Sequence, residues 1–299
     1  MQLYYFHHPN FGDALNPFLW HRLLPNVFDL DATTLFVGTG TLINTSVPQK
    51  PRKVVFGAGA GYGTALPQLD ARWKVYWVRG PLTARSLGLD VSAAISDGAL
   101  LLRVLDLPPR AQKNETAFMP HWRSAEYWDW RAVCESLNLV YIDPCAPVPD
   151  VIDAIRQSKL LITEALHGAI TADTFRVPWV PVRAYKQVLE SKWLDWCASL
   201  ELAYDPIRLP SLYSVSSIVT KLQKISRLAQ NNAVRPALTI PVNLLNTVQG
   251  ANVTRALEHT IQNPRVQLSN DALLQRAIER METQLALFQR ERANDLIFA

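Results

Sequence analysis

Paired cysteines are missing from this sequence. Its three, Cys134, Cys145 and Cys197, are odd in number and form no C-x-x-C pair. That argues against a disulfide framework and a cysteine-built zinc site, and it fits a reducing compartment. Long apolar runs are missing too: none approaches the roughly 18–20 residues of a membrane span. The opening MQLYYFHHPN has no basic segment followed by an apolar one. It reads as a first strand, so a cytoplasmic chain rather than an exported one is expected. Charge of one sign does not dominate. The net charge is +4 and the lysines and arginines are scattered, so no stripe for nucleic acid is present. A mild positive field suits an anionic small substrate, a peripheral seat on the anionic inner face of a membrane, or solubility alone. No repeat of 20–50 residues marks a solenoid. Glycine and tryptophan are scarce late in the chain: eleven of twelve glycines lie at or before residue 168, and all nine tryptophans before residue 197.

What is present is a chain of 299 residues, 48% apolar and 19% charged, long enough for two domains of about 100–150 residues with a remainder. Short β-branched or aromatic runs recur: LYYF (3–6), TLFVGT (34–39), KVVFGAG (53–59), KVYWVRG (74–80), SAAIS (92–96), TAFMPH (116–121), LVYID (139–143), KLLIT (159–163) and VPWVPV (177–182). Several are continuously apolar, as strands covered on both faces are. Helical patterns lie between them. PLTARSLGL (81–89) opens on Pro81 and stops at Gly88; VPDVIDAIRQS (148–158) has Asp150 as its expected N-cap; HGAITADTFR (167–176) ends before Val177-Pro178. Strands alternating with helices predict α/β architecture with parallel sheets. LPPRAQKNET (107–116) reads as the linker. Two Rossmann-like domains, 1–110 and 111–210, are therefore expected to face each other across a cleft, followed by a mainly helical extension, 211–299. In that extension Val215, Ile218, Leu222 and Ile225 form one apolar stripe. Leu274, Ile278, Met281, Leu285 and Phe288 form another, capped by Ser269 or Asn270. Such stripes are core, the seam of a homo-oligomer, or a membrane-surface face.

Candidate site residues cluster where strands end. The turn VFGAGAGYG (55–63) fails the dinucleotide fingerprint, because Tyr62 stands in the third glycine position. What remains is a turn whose bare backbone, at Gly59 and Gly61, lets an anion approach, or simply a tight turn. Asp29-Leu30-Asp31 pairs two carboxylates but sits in a natural turn, and no metal site is expected. Asp13, between the first strand and the first helix, is placed as an N-cap and as an acid at a strand's carboxyl end. Arg79 closes an apolar strand beside a helix start, a good position for binding carboxylate or phosphate. His121 and Arg123 in PHWRS (120–124) repeat that theme. His167 lies between KLLIT and the helix that Gly168 helps to start, where free N–H groups, a helix dipole and a titrating imidazole meet. A satisfied core histidine is the plain alternative. Arg183 and Lys186 follow the next strand and, with Arg79, are expected to converge on one dianionic ligand.

Taken in order, NFGD (10–13), FGAGAGYG (56–63), VRGPLTARSLGL (78–89), SDGALLL (96–102), PHWRS (120–124) and TEALHGAITADTFRVPWVPV (163–182) resemble the polysaccharide pyruvyl transferase family, its succinoglycan-type members in particular. The resemblance covers about residues 1–200. It implies a two-domain fold like that of GT-B glycosyltransferases and phosphoenolpyruvate as co-substrate, with no other cofactor. The implied acceptor is a sugar of a bacterial polysaccharide or of its lipid-linked oligosaccharide precursor, whose two hydroxyls close a cyclic pyruvate ketal. Many members carry arginine two residues before the histidine. Here Ala165 stands there, preceded by Glu164, so anion binding passes to Arg79, Arg183 or Lys186 and Glu164 becomes a candidate acid beside His167. A nucleotide-sugar glycosyltransferase and a non-catalytic sugar-binding protein are the competing readings, since fold alone does not fix chemistry.

Overall fold

The computed structural model describes residues 1–61, 65–113, 115–186, 188–213, 218 and 249–298. Four strands, Gln2–Tyr4 (β1), Thr34–Val37 (β2), Arg52–Phe56 (β3) and Trp73–Trp77 (β4), form a parallel sheet in that order. Its pleat sends alternate residues to opposite faces. Phe36, Val54 and Phe56 meet Leu15, Leu19 and Trp20 of helix α1, Phe11–Leu23. Leu35, Val37 and Val55 meet Leu42, Ile43, Ala58 and Ala84 on the other side. Both faces are buried, which is why these runs are continuously apolar.

Five further strands form a second parallel sheet: Glu115–Met119 (β5), Val140–Tyr141 (β6), Ser158–Thr163 (β7), Trp179–Arg183 (β8) and Ile207–Arg208 (β9), in the order β6-β5-β7-β8-β9. Helices fill its connections: Pro81–Ser86 (α2) precedes it, and Trp122–Tyr127 (α3), Trp130–Ser136 (α4), Val148–Gln157 (α5), Leu166–Thr174 (α6) and Glu190–Ser199 (α7) lie between its strands. The strand order reverses between β5 and β7. In doubly wound sheets that reversal opens a crevice at the strands' carboxyl ends. The first sheet has no such reversal, and the connections 38–51 and 57–72 of that half carry no described helix.

One apolar core runs through both halves, from Phe36 and Trp77 through α1 to Ile155, Ile170 and Trp196. Residues 249–262 are helical (α8). The last helix, Asp271–Ala293 (α9), is capped by Asn270, whose side chain accepts from the Ala272 and Leu273 amides. Its start is tied to the second half by Asp173, which accepts from the Ser269 amide at 2.9 Å. Its far end sits on the first sheet, where Phe288 lies 5.1 Å from the Phe56 ring and Tyr76 donates to Glu291 at 2.6 Å. The stripe expected at Val215, Leu222 and Ile225 lies outside the described residues.

Three local expectations are corrected. SAAIS forms no strand: Val91–Ala93 is a 3₁₀ turn, and only Ala94 bridges to Val78. Asp150 does not cap α5, which starts earlier, at Val148 behind Pro147. Asn10 rather than Asp13 caps α1, its side chain accepting from the Asp13 amide at 3.1 Å.

Candidate functional site

A cavity of about 240 Å³ opens at the carboxyl ends of β1, β5 and β7. Phe6, His8, Asn10, Gly12 and Asp13 line one side, Gly40 and Thr41 another, and His121, Trp122, Arg123, Ala165, Leu166 and His167 the floor and far wall. Lys192 enters from α7. The cavity thus sits at the β5/β7 reversal and is completed by the first sheet's loops. It gathers two cations, three imidazoles and one carboxylate.

His167 stands in the first turn of α6, a helix that begins without a side-chain cap. Thr163 holds the turn before it, its hydroxyl accepting from the Ala165 amide at 3.0 Å. The imidazole lies over Gly12: a Cβ there would come within 2.3 Å of Nδ1. Glycine in NFGD is thus a requirement of the ring's placement. Gly168 is tight for another reason, since a Cβ would meet Met119 Sδ at 2.8 Å and Thr163 Oγ1 at 2.9 Å, which fixes α6 against its sheet. Burial, with Lys192 and Arg79 nearby, lowers the His167 pKa to about 3. The same causes lower His121 to about 3, burial again first, then Lys192 and Arg123. Both rings are therefore neutral at physiological pH, each with a nitrogen lone pair able to accept a proton or a hydrogen bond. His121 also caps α3, its Nδ1 accepting from the Arg123 amide at 3.3 Å. Asp13 lines the cavity with its pKa raised by burial, opposed by a 2.7 Å hydrogen bond from Asn10 Nδ2.

Other expected site residues have different surroundings. Arg79 is 1% exposed and does not line the cavity. Its Nε donates to Asp195 at 3.0 Å and its Nη1 to Thr41 Oγ1 at 2.9 Å. Asp195 in turn accepts from the Leu82 and Thr83 amides, so it caps α2 from outside the helix. The guanidinium is spent on this ion pair. A Cβ on Gly59 would strike it at 2.2 Å, so Gly59 makes room for Arg79. Nor are the glycine-turn amides free for an anion: Gly59 N–H donates to Gly40 and Gly61 N–H to Ile43. Glu164 is 1% exposed and does not line the cavity. It accepts from the Ser124 hydroxyl and from the amides of His121, Ala184 and Tyr185. It clips the segments after β5 and β8 together, and burial raises its pKa despite those bonds. Arg183 pairs with Glu190, Lys186 is exposed, and neither lines the cavity, so the three cations do not converge. Asp29 accepts from the Met1 ammonium and the Asp31 amide, as a turn residue does.

Two residues escaped sequence reasoning. Lys192 lies in ESKWLDW, where nothing local distinguishes it from a solvated lysine. Asp97 lies in SDGALLL and caps the 3₁₀ helix Gly98–Val104 through Oδ1. Its other oxygen is buried without a hydrogen-bond partner among the described residues, and so is His167 Nε2, 3.8 Å away. Burial raises Asp97 to about 6, with Arg79 opposing. The place of Asp97 just after the expected strand SAAIS was the available signal, but only the fold sets it against the histidine.

No described helix is long and apolar enough to cross a membrane. The family model for polysaccharide pyruvyl transferase matches residues 3–185, which hold all of the cavity lining except Lys192. The chain is 42% identical over 217 residues to succinoglycan biosynthesis protein ExoV of Rhizobium meliloti (strain 1021), covering 70% of this chain and 68% of that one.

Proposed function

The chain belongs to the polysaccharide pyruvyl transferase family, and from that premise we propose that it moves the pyruvyl group of phosphoenolpyruvate onto two hydroxyls of one sugar in a bacterial polysaccharide or its lipid-linked precursor. The observation that carries this reading is the company of groups in one cavity: cations for a small anion beside neutral imidazoles and a carboxylate for proton transfer. Lys192, Arg123 and the uncapped start of α6 hold the donor's phosphate and carboxylate. Asp13 and His121 face the acceptor.

Protonation of the donor's methylene makes C2 electrophilic. A sugar oxygen adds to C2 and gives up its proton. The C2–O bond to phosphate then breaks, phosphate leaving with the electron pair, and a second sugar oxygen closes the ring with loss of its proton. One of the two hydroxyl protons replaces the proton spent on the methylene, and the other departs on phosphate. Neutral His167 accepts a hydroxyl proton and returns it to the departing phosphate, assistance typically worth about 10²–10⁴-fold in rate. The same reading takes 1–110 as the acceptor half, 111–210 as the donor half and 211–299 as the extension of a GT-B-like fold. The reversed order of the second sheet supports the donor assignment.

The test incubates the protein with phosphoenolpyruvate and a panel of synthetic or lipid-linked glycosides, with nucleotide sugars as rival donors. Expected are phosphate release and a matching pyruvyl mass gain on one acceptor. Turnover of a nucleotide sugar, or acceptor binding with no donor consumed, would overturn the reading.

A further inference from the structure

His167 and Asp97 come from different halves of the molecule, the first from the start of α6 and the second from the residue that caps the 3₁₀ helix Gly98–Val104. Asp97 is fully buried. One of its oxygens is committed to the Ala99 amide at 3.0 Å. The other, Oδ2, faces His167 Nε2 at 3.8 Å, and both atoms are buried without a hydrogen-bond partner among the described residues. A buried polar atom left unpaired has lost its water without gaining a partner, which is costly. Two that face each other are mutually explained if the imidazole carries its proton on Nε2 and the carboxylate accepts it. The distance is longer than a hydrogen bond, and the imidazole is the movable partner: its side chain is 16% exposed, on the cavity side, whereas Asp97 is locked by its cap.

We propose that Asp97 is a positioning residue for His167, holding the proton on Nε2 so that Nδ1, the nitrogen over Gly12 at the cavity wall, is the lone-pair base. An oriented carboxylate behind an imidazole fixes its tautomer and stabilises the imidazolium formed during turnover. The charged groups facing the pair are Arg79 from the end of β4 and Lys192 and Asp195 from α7. Burial first, and then the two cations, hold the resting ring neutral, and Asp97 supplies the countercharge when the ring accepts a proton. The kinetic part of this inference rests on the pyruvyl-transfer reading; the tautomer part does not.

The test is Asp97→Asn in the full chain, labelled with ¹⁵N-histidine. Asparagine keeps an oxygen for the cap but turns an N–H₂ donor toward Nε2. Above pH 7 the wild-type His167 is expected as the Nε2–H tautomer and the variant as the Nδ1–H tautomer, with unchanged circular dichroism and melting. With phosphoenolpyruvate and its acceptor, kcat falls by about 100-fold or more while the donor KM stays within about three-fold. His167→Ala combined with Asp97→Asn costs no more than His167→Ala alone. An Nδ1–H tautomer in the wild type, a tautomer unmoved by the substitution, or full additivity of the two losses would overturn the proposal. If the wild type consumes no phosphoenolpyruvate, the pyruvyl reading fails, while the tautomer measurement still decides the pairing.

Discussion

Gly12→Ala is a severe test of the site because two physical effects oppose each other in it. Residue 12 is the second residue of α1, and alanine in place of glycine within a helix ordinarily stabilises by about 0.5–1 kcal/mol. Here the new methyl carbon would stand 2.3 Å from His167 Nδ1, 3.0 Å from Cε1 and 3.1 Å from Cγ. An ordinary contact needs about 3.5 Å, so the ring or the first turn of α1 must retreat by roughly 1 Å. The ring's slack is the 3.8 Å gap between Nε2 and Asp97, and its helix is fixed where Gly168 packs against Met119 and Thr163. Overpacking of this kind costs about 1–3 kcal/mol, which outweighs the helical gain. A misplacement of about 1 Å costs about 100-fold in rate. The expected outcome is a loss of 0–2.5 kcal/mol, order of magnitude only, in urea unfolding, with kcat for phosphate release reduced about 100-fold. A variant that is more stable than the wild type and turns over within about three-fold of it would show that His167 does not need its seat on Gly12, and the acid–base assignment would fall with it.

Lys192→Met should raise the donor KM more than it lowers kcat, and should lift the pKa values of His121 and His167, which Lys192 helps to depress; histidine NMR titration reads both, and unmoved titrations would refute its place in the cavity. Asp195→Ala strands the buried Arg79 and uncaps α2, so urea unfolding should show a loss of about 3–5 kcal/mol, whereas a loss below about 1 kcal/mol would return Arg79 to the pool of ligand-binding cations. The histidines dictate a pH slope. Folding holds His121 near 3 against the ordinary 6.5, so the unfolded chain binds more protons between those values and stability falls as pH drops below about 6.5. Asp97, raised to about 6 from 3.8, works the other way between about 4 and 6. His121→Asn, which keeps a capping group, should flatten the slope in chemical denaturation between pH 4 and 6.5, and an unaltered slope would refute the burial argument.

The pattern of apolar runs made the parallel strands legible because strands buried on both faces need uninterrupted apolar residues, and eight of the nine expected runs contain one. SAAIS misled because its residues are small and β-compatible, yet its neighbours let only Ala94 pair. That His167, Asp13, His121 and Arg123 would share one cavity was legible because each follows the carboxyl end of a strand, a position that chain order alone reveals. The cations were misjudged for a physical reason. A guanidinium at a strand end binds whatever anion the fold supplies, and for Arg79 that is Asp195, 116 residues away in the chain. Glu164 looked like an acid beside His167, yet its carboxylate is taken up by Ser124 and three backbone amides.

Local order in the chain therefore determined the α/β class, the strand-end clustering of polar residues and the family signature, because each depends on spacing between near neighbours. Tertiary structure alone decided which charges are spent and which are left to act. Arg79 is paired with Asp195, Lys192 reaches the cavity from α7, and Asp97 is brought behind His167. Those outcomes depend on distances of a few ångströms between segments far apart in sequence, where burial multiplies the strength of every charge.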